Sequence, residues 1–185
     1  MTVTTAPPNL QVVVNGSTLT APQTFWWPAG SGHTVAVASP QVVGTTRYVY
    51  QLWSDGGAQS HPITVVSPAT LRADFGTEYE IVVTTRPPGI DVRVDGTLFP
   101  SPYTFWCPAG TTHTIDAPNP LTLPDTRITF LFWSDGGAQS HPVTCTAPRT
   151  YEATFLVEYL ITLATTPPGL NVTVDGAPAT APATF

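Results

Sequence analysis

Ser54, Asp55 and His61 are the residue types of a hydrolytic triad, and they lie within the single stretch Trp53-Ser54-Asp55-Gly56-Gly57-Ala58-Gln59-Ser60-His61-Pro62. The same ten residues recur from Trp133 to Pro142. A hydroxyl, an imidazole and a carboxylate make a nucleophile when a strained elbow exposes the hydroxyl and backbone amides await the oxyanion. Around Ser54 and Ser134 the intervening Asp-Gly-Gly is turn chemistry instead, so no enzyme is expected. Two readings remain. In the structural one, Trp53 or Trp133 points inward at the end of a strand. Asp55-Gly56-Gly57 or Asp135-Gly136-Gly137 then turns the chain, and His61 or His141 opens the next strand. In the binding one, the same Trp is a stacking platform, with Asp55/Asp135 and His61/His141 as polar contacts. The structural reading is preferred, because Asp and Gly are what a turn needs for its own backbone.

His33 and His113 add a second imidazole to each copy. No Cys/His spacing of a structural zinc site and no D-x-D-x-D-G calcium loop accompanies them, and no metal or cofactor is expected. Cys107 and Cys145 are the only cysteines, and they stand where the first copy has Trp27 and Val65. Two cysteines arriving together suggest a bonded pair, worth roughly 3–4 kcal/mol for a loop of about 38 residues in the chain-entropy model. Two separate buried thiols are the alternative. A bridge would imply an oxidising compartment.

The positioning elements follow from the repeat. An offset of 80 residues aligns the chain with itself without a gap: Phe25-Trp26-Trp27-Pro28-Ala29-Gly30 matches Phe105-Trp106-Cys107-Pro108-Ala109-Gly110, and Pro167-Pro168-Gly169-Leu170 opens another copy on schedule. Strand signals recur within each copy. Tyr79, Ile81 and Val83 alternate with polar or small residues, as do Ile90, Val92 and Val94. Ile128, Phe130 and Phe132 are read as one face of the strand ending at Trp133. Asn15-Gly16, Asp95-Gly96 and Asp175-Gly176 are hairpin signatures with positive φ at both central positions. Several short strands per 80 residues predict an all-β chain of tandem immunoglobulin- or fibronectin-III-like β-sandwich repeats. Their expected bounds are 1–77, 78–157 and, for the first strands of a third, 158–185. Only about three residues separate Phe75 from Tyr79, so neighbouring repeats are expected to be held semi-rigidly.

Adjacent strand residues face opposite ways. One of Trp26 and Trp27 is therefore expected in the core, and Trp27 is taken as a candidate surface contact, with Leu170, Val172, Val174 and Phe185 of the third copy.

Composition narrows the partners. All six cations are arginines, scattered singly in a chain of net charge −6, which disfavours nucleic acid. No apolar run reaches the length of a membrane span, so no membrane insertion is expected, and Met1–Pro8 lacks the basic and apolar regions of a secretory leader.

Two local patterns carry a resemblance. Pro87-Pro88-Gly89-x-x-Val92-x-Val94-Asp95-Gly96, followed by Pro102-x-Thr104-Phe105 and Pro108-Ala109-Gly110-x-x-His113-Thr114, resembles the PEGA-type module of bacterial surface proteins. Phe130-x-Phe132-Trp133-Ser134-Asp135-Gly136-Gly137, with Tyr151, Ala153, Phe155 and Tyr159, resembles the divergent internalin-B-type (Listeria–Bacteroides) repeats of bacterial extracellular proteins. The resemblance implies a cell-surface or secreted stalk, adhesin or filament component and supplies no catalytic residues. The expected function is thus structural: a bacterial extracellular repeat that self-associates head to tail with identical subunits or further repeats. A carbohydrate- or surface-binding adhesin module, with a glycan or host surface as partner, is the alternative.

Overall fold

The computed structural model describes residues 1–185, the side chain at position 122 excepted. The chain is all-β, with no helix among the described residues. The first nine strands are β1 (Thr2–Ala6), β2 (Gln11–Val14), β3 (Ser17–Thr20), β4 (Gln23–Thr24), β5 (Gly32–Ala36), β6 (Gln41–Val43), β7 (Thr46–Trp53), β8 (Ser60–Thr64) and β9 (Thr70–Arg86). Then come β10 (Val92–Val94), β11 (Thr97–Phe99), β12 (Tyr103–Pro108), β13 (Thr112–Asp116), β14 (Leu121–Leu123), β15 (Thr126–Trp133), β16 (Ser140–Thr144) and β17 (Arg149–Tyr159). The chain closes on β18 (Thr162–Leu163), β19 (Asn171–Val174), β20 (Ala177–Thr180) and β21 (Ala183–Thr184).

Two compact units divide the chain. One holds Met1–Val82, Thr104–Thr112 and Thr144–Thr150, the other Val83–Tyr103, His113–Val143 and Tyr151–Phe185. In the first, β3-β2-β5-β8 form an antiparallel sheet, while β7 pairs with β6 and β9. β1 lies parallel to β9, from Thr2 opposite Thr70 to Ala6 opposite Asp74. Each strand turns alternate residues inward, so Val3, Val12, Val14, Val35, Trp53, Leu71, Ala73 and Phe75 meet in one core drawn from both sheets. That arrangement is of the β-sandwich class. In the second unit Val83, Ile90, Val92, Val94, Ile115, Trp133, Val143, Ala153 and Phe155 are buried likewise.

The hairpin turns have the predicted backbone. φ is positive at Asn15 and Gly16 (50° and 82°), at Asp95 and Gly96 (50° and 79°) and at Asp175 and Gly176 (48° and 83°). Asparagine, aspartate and glycine tolerate this left-handed region where bulkier side chains do not.

One strand face differs from expectation. A bulge interrupts the register of β15 on β17 between Phe130 and Phe132, and an equivalent one interrupts β7 on β9 between Tyr50 and Leu52. The extra residue flips the alternation. Phe130 therefore packs inward, Phe132 is 55% exposed, and Trp133 reaches the core at 1% exposure.

Candidate functional site

The decapeptide repeated between the copies folds into a closed turn. Trp53 ends β7, and its carbonyl accepts the Gly56 amide at 2.9 Å. Its indole N–H donates to the Gln59 carbonyl at 3.2 Å, and only 1% of the residue is exposed. The Ser54 backbone N–H donates to the Arg72 carbonyl at 2.8 Å, and its hydroxyl accepts the Arg72 amide at 3.0 Å. Asp55 takes the Gly57 amide on Oδ1 at 3.1 Å and faces His61 Nε2 with Oδ2 at 2.9 Å. His61 Nδ1 donates to the Ala58 carbonyl at 2.7 Å. The imidazole lies over Gly57, where an added Cβ would overlap the ring. Gly57 is thus set by close approach rather than by backbone angle.

Eighty residues on, the geometry is the same. Trp133 donates to the Gln139 carbonyl at 2.9 Å, Ser134 accepts the Glu152 amide at 3.0 Å, and Asp135 Oδ2 meets His141 Nε2 at 3.1 Å. His141 Nδ1 donates to Ala138, and a Cβ on Gly137 would overlap the His141 ring. Burial alone would raise the Asp55 and Asp135 carboxyls. The Gly57 or Gly137 amide and the neighbouring imidazole outweigh it and hold both below the ordinary value of 3.8. The acid, the base and the ring that could serve a ligand are all partnered inside the turn.

Cys107 and Cys145 are joined, with Cα atoms 6.1 Å apart, inside the usual range for a disulfide. The bridge fits a protein that folds in an oxidising compartment.

The two tryptophans at 26 and 27 reverse their expected roles. Trp27 is the inward member: it is half-buried, packs against the first core, and stacks between Phe25 at 4.7 Å and His33 at 3.8 Å between ring centroids. Residues 25 and 27 share a face, so Trp26 is thrown to the other side, where it is 98% exposed. It borders an apolar pocket of about 440 Å³ with Met1, Phe25, Trp27, Val65 and Val66. Its counterpart Trp106 is half-buried under the Arg47 guanidinium, with Cζ 5.0 Å from the ring centroid, and Arg47 is ion-paired with Glu78. Sequence reasoning set Trp26 against Trp27 for the core position and chose the wrong one for the surface, and it gave Arg47 no role beside Trp106. The signal available was that position 26 keeps its tryptophan in both copies whereas position 27 does not.

Of the third-copy candidates, Leu170 and Phe185 are about half exposed, and Val172 and Val174 are partly covered. No family model matches the chain, and neither a curated protein nor a solved structure matches it.

Proposed function

We propose that this chain is a structural protein of a bacterial extracellular or cell-surface assembly. In this reading immunoglobulin- or fibronectin-III-like sandwiches of about 80 residues follow one another and build a stalk, fibre or filament by head-to-tail association. The observation that carries it is the closure of the repeated decapeptide on itself: Trp53, Asp55 and His61 are partnered within their own turn, and Trp133, Asp135 and His141 likewise. Residues kept for a shared substrate would leave a ring face or a proton-carrying atom open, whereas residues kept for a fold close upon each other. The Cys107–Cys145 bridge supports an exported protein, and the PEGA-type and internalin-B-type resemblances support the cell surface. Electron microscopy of the protein at rising concentration tests the reading. Rods or fibres are expected, and isolated particles at every concentration would overturn it.

The binding alternative rests on Trp26, an exposed ring beside an apolar pocket, which is how a sugar face is met. Glycan-array binding that disappears in Trp26→Ala would favour it.

A further inference from the structure

The two copies finish one β ladder in different ways. Val13 lies opposite Ala36 in the first copy, and Arg93 opposite Asp116 in the second. β5 stops at Ala36 and β13 at Asp116. One step further along, the same register sets Gln11 toward Ala38 and Asp91 toward Pro118. At Gln11 a side chain takes the place of the missing strand. Gln41, which opens β6, accepts the Gln11 amide on Oε1 at 2.7 Å and donates from Nε2 to the Gln11 carbonyl at 2.8 Å. The same nitrogen donates to the Ala38 carbonyl at 3.3 Å. One planar carboxamide thus serves both backbone groups of a single residue.

The second copy keeps the gap and lacks the filler. Leu121 stands where the first copy has Gln41, and Pro118, which has no N–H, where it has Ala38. Among the described residues no hydrogen bond reaches the Asp91 amide or its carbonyl. Asp91 instead borders a cavity of about 300 Å³ walled by Ile90, Leu98, Pro118, Leu121, Leu123 and Ile128. Arg93 lies on the same border, where Asp116 holds its guanidinium at 3.2 Å. With that cation already paired and the Asp91 carboxyl at the rim, the recess favours a neutral ligand over an anion. An apolar recess with a few placed polar groups is how a small ligand is held and oriented.

We propose that this cavity binds a primary carboxamide on an aliphatic stem, the group that a glutamine side chain carries. Its oxygen accepts the Asp91 amide, its N–H donates to the Asp91 carbonyl, and its stem lies among Leu98, Leu121 and Ile128. The pose is the one that Gln41 takes on Gln11. The site belongs to the second copy alone and stands apart from the assembly reading above. Its selectivity follows from geometry. In an extended strand the N–H and C=O of one residue point to the same side, so the ligand must present an acceptor and a donor on one edge. A primary amide does so through the hydrogen syn to its oxygen. A trans secondary amide carries its substituent there instead. A carboxylate has no hydrogen to offer and would turn an oxygen against the Asp91 carbonyl.

The test is amide NMR of the full chain with hexanamide as the probe. Hexanamide should shift the Asp91 amide signal to saturation, with a dissociation constant on the order of millimolar for so small a ligand. The Gln11 amide, already bonded to Gln41, should stay in place. N-methylhexanamide and hexanoate should bind about tenfold more weakly, the upper size of one net hydrogen bond. Leu121→Gln should restore the filler that the first copy has, and so abolish the hexanamide shift while leaving distant signals unchanged. The proposal is overturned if Asp91 does not respond up to the solubility limit of hexanamide, or if the three probes bind alike. It is overturned equally if Leu121→Gln binds hexanamide as well as the parent chain does.

Discussion

At positions 27 and 65 of the first copy stand an indole and a valine, and eighty residues on a disulfide joins the same two places. The backbone around them is alike. Gly30 donates to the Val65 carbonyl and Gly110 to the Cys145 carbonyl, each at 2.8 Å. Val65 and Cys145 donate in turn to Ser31 and Thr111, at 3.0 and 2.9 Å. The flanking strands are not alike: β4 is two residues long, whereas β12 is six, pairs with β9, and is prolonged by the Ala109 amide donating to Thr77 at 2.8 Å. The difference teaches that the hydrogen-bonded frame is set by the common turns. The first copy keeps that frame with no covalent bond between positions 27 and 65, and its Trp27 stacks on Phe25 and His33 instead.

Breaking the covalent version should have the largest effect. Replacing Cys107 and Cys145 by alanine releases a loop of 38 residues, worth roughly 3–4 kcal/mol if the chain-entropy account holds. Amide exchange should quicken along β12 and β16 while β4 and β8 keep their rates. Uniform quickening would mean that the bridge stabilises the whole chain and not its own frame. Removing the ring stack should cost less: Trp27→Ala gives up a half-buried indole and two stacked contacts, about 2–3 kcal/mol, below the 3–5 of a fully buried aromatic. Here β4, β5 and β8 should respond and β12 should not.

The repeated turn supplies the matching control, because it is the same in both copies. Gly57→Ala and Gly137→Ala each drive a methyl into an imidazole and break its bonds to Asp and to the Ala carbonyl. Each should cost about 1–3 kcal/mol, as unsatisfied polar groups do. Denaturant midpoints should fall by equal amounts in the two variants. A clear inequality would show that the copies differ in more than their lock.

Much of this frame is legible from residue types. Asn15-Gly16 and Asp95-Gly96 announce their hairpins because few other residues accept those φ angles, and Ile90, Val92 and Val94 announce an inward face by their period. Phe132 was misread because a bulge inserts one residue without any mark in the strand, so every parity beyond it changes. Trp26 and Trp27 were misread for a related reason: alternation says that neighbours face oppositely but not which one faces in. That choice is made by Phe25 and His33, whose rings flank Trp27 only after the strands are in place. The Asp55–His61 closure lay half hidden as well, since spacing brings the pair near a turn but only the glycine beneath the ring lets them meet.

Acid should separate the copies once more, through a position where they differ by one group. Asp95 sits at a hairpin where the first copy has Asn15, and both staple the turn to the facing strand. The His113 ring, bonded at 2.7 Å, and the Thr114 amide hold the Asp95 carboxyl below its ordinary value of 3.8. Asp55 and Asp135 are lowered too, one in each copy, so their effects match. A carboxyl whose folded value lies below its unfolded one adds stability that is complete above 3.8 and is lost as pH falls through the folded value. At this hairpin only the second copy carries the dependence, because asparagine does not titrate. Between pH 5 and pH 3, amide exchange at Asp95 and Thr114 should therefore quicken more than at Asn15 and Thr34. The effect should be small, since the Asp95 side chain is 53% exposed and water screens its pair. Asp95→Asn should remove the excess while keeping the turn. If the two hairpins loosen alike in acid, or if Asp95→Asn leaves the excess in place, the carboxylate is not its source.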